Sequence, residues 1–534
     1  MNSKHHSPAW LSRAVFYQVY PQSFCDSNGD GIGDLPGLIS KLDYLQSLGI
    51  NALWLNPIFE SPFGDAGYDI SDFRKVAPRY GTNQDAARLF REAHKRDIRV
   101  VMDLVAGHTS DQHPWFKTAC RKEQTDYTNY YIFTGNEPQQ PMFGDRPSKV
   151  PGTRAGYFKA NFLPFQPALN FGYLHPDPAK PWQLPTEHPD CLAVRKELRD
   201  IMKFWLDLGC DGFRVDMASS LIKGDTDAVA LTRLWQGFRS WFDREYPEAV
   251  LVSEWSNPIQ AVEAGFHVDF MIHFGETAYT HLIGSGNKIE GKSRRPHVFF
   301  ERAGEGDILL FLENYLKHYK AIASKGYVSL PTGNHDFQRP RLGREMDEVR
   351  GLFAMLFTMP GVPFLYYGDE IGMRNIDGLP EKEGSMWRTG NRTPMQWLKD
   401  APNLGFSTAA KKKLYLPVDP EPDAPTVSEQ ETQKDSHLNF TRRLIKLRQK
   451  YSALGNDGSF KALFAQAGAY PFVYERSDAK GSFAIAINPS EKAVSLTLPL
   501  LQGARLLLGE GCQVTATELT MQGVSFGIYQ LSKN

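Results

Sequence analysis

Four short segments place charged groups just after apolar, β-branched runs, and their residue types are those of bond-breaking chemistry. They read Gly212-Phe213-Arg214-Val215-Asp216, Leu251-Val252-Ser253-Glu254-Trp255, Gly333-Asn334-His335-Asp336 and Asp103-Leu104-Val105-Ala106-Gly107-His108. Paired carboxylates suit glycosidic-bond cleavage: an ionised acid attacks the anomeric carbon while a protonated one gives its proton to the leaving oxygen. Arg214 lies two residues before Asp216, on the same strand face, and is expected to keep Asp216 ionised. Glu254, beside Trp255 and with no cation near it in sequence, is expected to have the raised pKa and the acid role. Asp336 would hold sugar hydroxyls and stabilise positive charge in the transition state.

These groups need elements that bring them to one mouth. Strands are read at Val15 to Tyr20, Ala52 to Asn56, Val100 to Val105, Gly212 to Asp216, Val250 to Glu254, Val268 to His273, Val328 to Thr332 and Phe364 to Tyr367. Eight such runs, alternating with helical stretches, predict an α/β fold, a (β/α)8 TIM barrel, in which reacting groups gather at the C-terminal strand ends. Leu35, Leu38, Leu42 and Leu45 form one helical stripe, and similar stripes run through Ala86 to His94 and Leu198 to Leu208. The third βα connection is long and rich in Pro, Gly and aromatics, so an inserted domain is expected over residues 109–192. The barrel is thus read as residues 1–108 and 193–451, with a long excursion from Ile371 to about Asp435. Residues 452–534, with short alternating strands and no helical stretch, read as a C-terminal β-sandwich.

Composition narrows the classes of function. Among 534 residues, 60 Lys and Arg balance 61 Asp and Glu, so there is no basic field for nucleic acid. Five scattered cysteines lack C-x-x-C spacing, which argues against a disulfide framework or thiolate zinc site. With no apolar leader segment at the N-terminus, a cytoplasmic protein is expected. The uncharged stretch from Gly351 to Gly368 is cut by Pro360, Gly361 and Pro363, so no membrane span is expected.

With these motifs in order, the chain resembles the α-amylase superfamily, glycoside hydrolase family thirteen, and most closely its oligosaccharide α-glucosidase branch. The opening Val15-Phe16-Tyr17-Gln18-Val19-Tyr20-Pro21, the run Gly67-Tyr68-Asp69-Ile70-Ser71-Asp72-Phe73 and the late Arg392-Thr393-Pro394-Met395-Gln396-Trp397 carry the likeness with the four strand ends. The resemblance implies a retaining double displacement with Asp216 as nucleophile, Glu254 as acid/base and Asp336 as stabiliser. It implies a small α-glucoside substrate held by Asp65, Tyr68, His108, Gln166, Arg214, His335 and Arg392, with Tyr68 stacked on the sugar. Asp65 and Arg392 would close the pocket behind the terminal glucose, making the attack exo. Water is the expected acceptor, a transglucosylase or sucrose isomerase the alternative.

The loop from Asp26 to Asp34 spaces oxygen ligands at every second residue, with Gly31 at the sixth position for the sharp turn a cation needs. It lacks the bidentate glutamate of an EF-hand, Gly37 standing there, so Asp34 must close the site. The resemblance implies a structural Ca2+ held by Asp26, Asn28, Asp30, the Ile32 carbonyl and Asp34. Gly107 stands where the family usually has an asparagine that helps bind a different calcium, so that second site is not expected. In the Gln166-Pro167-Ala168-Leu169-Asn170 run an alanine replaces the usual aspartate. Met217 follows the nucleophile where relatives carry residues tied to linkage, and leaves the linkage open. Ser219 and Ser220 replace the Lys-His pair of endo-amylases, which favours short substrates over starch.

Overall fold

The computed structural model describes residues 7–272, 278–284 and 297–532. Eight parallel strands close into a barrel in chain order: β1 (Phe16–Val19), β2 (Ala52–Leu55), β3 (Arg99–Val105), β4 (Gly212–Asp216), β5 (Val250–Ser253), β6 (Val268–Phe270), β7 (Tyr327–Pro331) and β8 (Val362–Tyr366), with β1 pairing both β2 and β8. Every strand read from the sequence is present, with ends shifted by a few residues. His273, the last residue of the sixth reading, lies outside the described residues.

The interior of the barrel changes character along its axis, and that change makes the site. Side chains alternate in direction, so each strand points every second residue inward. Near the N-terminal end the inward positions are apolar: Phe16, Ala52, Trp54, Val101, Val250, Val252, Val268, Phe270, Val362 and Phe364 form one buried cluster. Phe16 and Phe364 stack with ring centroids 4.2 Å apart. Leu11 and Ala14, in and after the short helix Ala9–Arg13, plug the base. Two residues further along the same faces come Gln18, Asn56, Asp103, Arg214, Asp216 and Glu254, all buried. Strand register puts Asp103 beside Arg214 and Val105 beside Asp216.

Around the barrel, helices turn one apolar face inward. Leu35, Leu38, Leu42 and Leu45 are all buried, but the segment forms two helices, Leu35–Ser40 and Leu42–Leu48, broken at Lys41. Each such leucine contributes roughly 1.5–3 kcal/mol of burial. The helix Pro189–Leu208 begins earlier than its apolar stripe predicts. His188 caps it by accepting from the Asp190 N–H, and Pro189 fits its first turn. Residues 189–192 therefore belong to this helix rather than to the insert. The segment before it carries a small antiparallel pair, Phe133–Gly135 with Tyr157–Phe158, and returns to the mouth through bridges of His108 with Ala168 and Tyr131 with Leu169.

The Gly351 to Gly368 stretch divides into the end of the helix Met346–Leu356 and β8; no described helix is long and apolar enough to cross a membrane. After the helix His437–Lys450 the described residues are mainly β, with two short 3-10 turns at Ser452–Leu454 and Pro499–Leu501: β9 (Ser459–Phe464), β10 (Phe472–Asp478), β11 (Gly481–Asn488), β12 (Val494–Thr497), β13 (Arg505–Thr515) and β14 (Glu518–Gln530) pair antiparallel. Alternation gives this sheet two apolar faces. Phe472, Tyr474, Ile485, Ile487, Phe526 and Ile528 join the main core, while Val473, Ala484, Ala486, Leu519 and Met521 belong to a second core of the domain's own.

Candidate active site

Arg214 is the hub. Its Nη1 lies 2.9 Å from Asp103 Oδ1 and 2.9 Å from Asp216 Oδ1, and its Nη2 lies 2.6 Å from Glu254 Oε1. The guanidinium is buried and rests over the Trp54 ring, 4.9 Å from its centroid. One cation faces three carboxylates in a buried site, where desolvation works against the charged form. Burial pushes Asp103 up to about 6 against the pull of Arg214. Burial first, and then the neighbouring charge of Glu254, push Asp216 well above the ordinary aspartate value, again against Arg214.

Glu254 does have a cationic partner, Arg214, reached across the β4–β5 boundary; it also accepts a hydrogen bond at 2.9 Å from the Met217 N–H. Asp216 itself is raised, because burial outweighs the attraction of an arginine shared three ways. Met217 holds φ at 42°, a left-handed conformation that turns the chain sharply after the strand and aims its N–H at Glu254.

Asp336 stands in a different field. Arg388 Nη1 lies 2.5 Å and Arg392 Nη2 3.2 Å from its Oδ1, and His335 Nε2 lies 3.1 Å from its Oδ2. Burial acts against ionisation, but His335, Arg388, Arg392 and Arg214 together hold Asp336 well below the carboxylate range. His335 is itself pushed well below its ordinary value by burial, so the arginines carry the positive charge at neutral pH. Asp336 is the permanently ionised member of the set.

The sugar-binding residues read from the sequence converge here as well. Tyr68 lies with its ring parallel to His335, centroids 5.4 Å apart, and its hydroxyl donates to Asp103 at 2.9 Å and accepts from Asn56 Nδ2 at 2.8 Å. His108 Nε2 is 3.1 Å from the Tyr68 carbonyl. Gln166 Nε2 donates to Asp65 Oδ2 at 2.8 Å. Among the described residues Asp65 has a cation partner in Arg388, whose Nη2 is 3.6 Å from Asp65 Oδ1. Arg392 instead donates through Nε to the His335 carbonyl at 2.7 Å and reaches Asp336. Arg388 thus bridges Asp65 and Asp336, and sequence reasoning passed over it. It lies in the short 3-10 helix Met386–Asn391, which Arg392 follows directly, and both guanidinium groups reach Asp336.

In the loop at Asp26, side-chain oxygens close successive turns: Asp26 accepts from the Asn28, Gly29 and Gly31 N–H groups, Asn28 from Asp30 and Asp30 from Ile32. Asp34 caps the following helix through Gly37 and accepts from Ser27. Three carboxylates, an amide oxygen and a carbonyl are the hard donor set that suits Ca2+. The loop also clasps the excursion after β8, Ser407 Oγ donating to Asp26 Oδ2 at 2.5 Å and the Tyr415 N–H to the Gly31 carbonyl at 2.8 Å.

A closed parallel barrel with clustered carboxylates, arginines and sugar-facing polar groups at its C-terminal mouth defines a carbohydrate-cleaving barrel enzyme. The chain belongs to the α-amylase family, glycoside hydrolase family thirteen: the family model "Alpha amylase, catalytic domain" matches residues 18–457. It is a glycoside hydrolase of the oligo-1,6-glucosidase-like branch. The oligo-1,6-glucosidase of Heyndrickxia coagulans is 31% identical over 98% of this chain and 100% of its own. The trehalose synthase/amylase TreS of Mycobacterium tuberculosis is 32% identical over 85% of this chain and 78% of its own. Among solved structures, the isomaltulose synthase of Klebsiella sp. LX3 superposes with a TM-score of 0.82 at 27% identity, covering 99% of this chain and 100% of that one.

Proposed function

We propose that the chain is an exo-acting, retaining α-glucosidase that releases glucose from the non-reducing end of short α-glucosides. The observation that carries this reading is the cluster of Asp216, Glu254 and Asp336 around buried arginines, closed on one side by Asp65, Gln166 and Arg388. A carboxylate oxygen of Asp216 attacks the anomeric carbon; the glycosidic C–O bond breaks and the leaving oxygen takes the proton of Glu254. Water then attacks the glucosyl ester, gives a proton to Glu254 and frees Asp216, so configuration is retained. Ionised Asp336 stabilises the positive charge that develops on the ring. In this reading Asp65, Gln166 and Arg388 would close the pocket behind the terminal glucose.

Ca2+ would be held by Asp26, Asn28, Asp30, the Ile32 carbonyl and Asp34, and its role would be structural. Five free thiols, four of them buried, support a reducing compartment such as the cytoplasm. A second reading is favoured by the likeness to a trehalose synthase and to isomaltulose synthases: a sugar hydroxyl replaces water in the second step, making a transglucosylase or isomerase. A product time course on sucrose, maltose, isomaltose, trehalose, kojibiose and nigerose, with the anomer of released glucose read by NMR, separates them. Early α-glucose supports hydrolysis with retention. Mainly new disaccharides at low substrate concentration overturn it in favour of transfer.

A further inference from the structure

Behind the sugar pocket a single amide touches four functional neighbours. Asn161, from the segment between β3 and the helix Pro189–Leu208, points its Nδ2 at His108 Nδ1 (3.3 Å), Ser220 Oγ (3.3 Å) and Met217 Sδ (3.8 Å). Its Oδ1 accepts from Lys223 Nζ at 3.4 Å, and the same ammonium donates to the Ser220 carbonyl at 2.5 Å. The Asn161 N–H donates to the Gln166 carbonyl at 2.9 Å, which ties the residue to the strut that holds Asp65. Space for this amide exists because position 107 is glycine: a Cβ there would come within 2.7 Å of Asn161 Nδ2 and 3.1 Å of Ser220 Oγ.

We propose that Asn161 is a positioning residue of the sugar site: anchored through its oxygen by Lys223, its amide NH2 fixes the tautomer and tilt of His108 and braces the Met217 turn beside Asp216. Protonated Lys223 can only donate, and in that form it selects the amide orientation with the oxygen toward Lys223 and NH2 toward His108. His108 Nδ1 must then accept, which leaves the proton on Nε2, where it donates to the Tyr68 carbonyl. A relay of hydrogen bonds thus runs from Lys223 through Asn161 and His108 to the backbone of Tyr68. Burial keeps His108 neutral, pushing it down to about 4, with Lys223 adding to the effect. Burial, and then Lys159, bring Lys223 down to about 7. The titratable groups facing the relay are Lys223, Lys159 and His108 itself.

This inference rests on the α-glucosidase reading, and its test separates the two. Asn161→Asp keeps shape and the oxygen facing Lys223 but removes the NH2 donor. A carboxylate there favours protonated His108, so KM for an α-glucoside should rise about ten-fold and climb more steeply than in the wild type as pH falls below neutrality. Gly107→Ala should displace the amide and raise KM similarly, and Gly107→Ala/Asn161→Ala should be no worse than either single variant, because both act on one contact. Unchanged KM and pH profile in Asn161→Asp, or additive losses in the double variant, overturn the proposal. A readout independent of turnover is the histidine tautomer by nitrogen NMR, with His108 assigned through His108→Gln. A neutral Nε2–H form in the wild type that becomes protonated in Asn161→Asp supports the proposal, and an Nδ1–H form in the wild type overturns it. A wild type inactive on every α-glucoside would sink the enzymatic reading alone.

Discussion

Arg214 Nη2 lies 2.6 Å from Glu254 Oε1, so the carboxyl assigned to give the proton rests on the same guanidinium as the one assigned to attack. On the proposed reading a sugar enters between the two, where Asp216 attacks and Glu254 gives the proton. The roles separate by leaving group. With α-glucosyl fluoride, whose fluoride needs little acid help, Glu254→Gln should still form the glucosyl ester, seen as a burst of fluoride. Asp216→Asn should show no burst. On a disaccharide both should lose at least about a thousand-fold in kcat with folding intact, since charge rather than packing is removed.

The same geometry sets a pH limb. Protonated Asp216 cannot attack, and burial together with Glu254 raises it above the ordinary 3.8. Activity should therefore fall on acidification at a pH clearly above that value. A kcat/KM profile flat down to pH about 4 would contradict the shift.

Arg388 is predicted to matter more than its sequence context suggests. It contacts both Asp336 and Asp65, so Arg388→Ala should lower kcat/KM by about 10² to 10³. Arg388→Lys should recover only part of this, because a lysine cannot offer two forked donors. Combining Arg388→Ala with Asp65→Ala should cost less than the sum of the two losses. Full additivity in steady-state kinetics would mean that the bridge is not functional.

The barrel is legible in the chain because each strand is a short β-branched or aromatic run, and its parity also forecasts the polar mouth: Val101 then Asp103, Val252 then Glu254. The partner of Glu254 is not legible in its local sequence, since Arg214 lies on the neighbouring strand and far from it along the chain. Arg388 escapes for a similar reason. It sits in an irregular excursion that no periodicity describes and that takes its shape from contacts with distant loops, such as Ser407 with Asp26. The early start of the helix Pro189–Leu208 is hidden because a histidine cap, rather than a serine or aspartate, opens it.

Glu370 gives a stability prediction unconnected with turnover. Its Oε1 accepts from Tyr17 and Tyr44, each at 2.8 Å, while Oε2 has no hydrogen-bond partner among the described residues. Burial raises it from the ordinary 4.5 to about 7. Between those values the unfolded chain is ionised and the folded one is not, so unfolding releases a proton. The stability this group contributes is full below pH about 4.5 and is lost as pH rises through about 7. Glu370→Gln should remove that part of the slope, so that, relative to wild type, the variant gains roughly 1–3 kcal/mol between the two ends of the window. Parallel denaturation curves across this range would refute it.

The Asp26 loop offers a test of the metal through stability. Its side-chain oxygens close successive turns, and Asp26 and Gly31 also hold the excursion that carries Arg388 and Arg392. If Ca2+ rigidifies this loop, chelation should lower Tm by several degrees while kcat at low temperature changes little, because no ligand touches the reacting atoms. Asp26→Ala should lower Tm further and no longer respond to chelator or added Ca2+, since it removes both a cation ligand and the anchor for Ser407. Gly31→Ala should be the harsher change: φ there is +99°, and a Cβ would lie 2.2 Å from the Lys413 carbonyl oxygen. Metal content by atomic absorption and Tm by calorimetry on the same samples decide the matter. An unchanged Tm once the metal is gone, alongside a destabilised Asp26→Ala, would assign the loop to its own hydrogen bonds rather than to calcium.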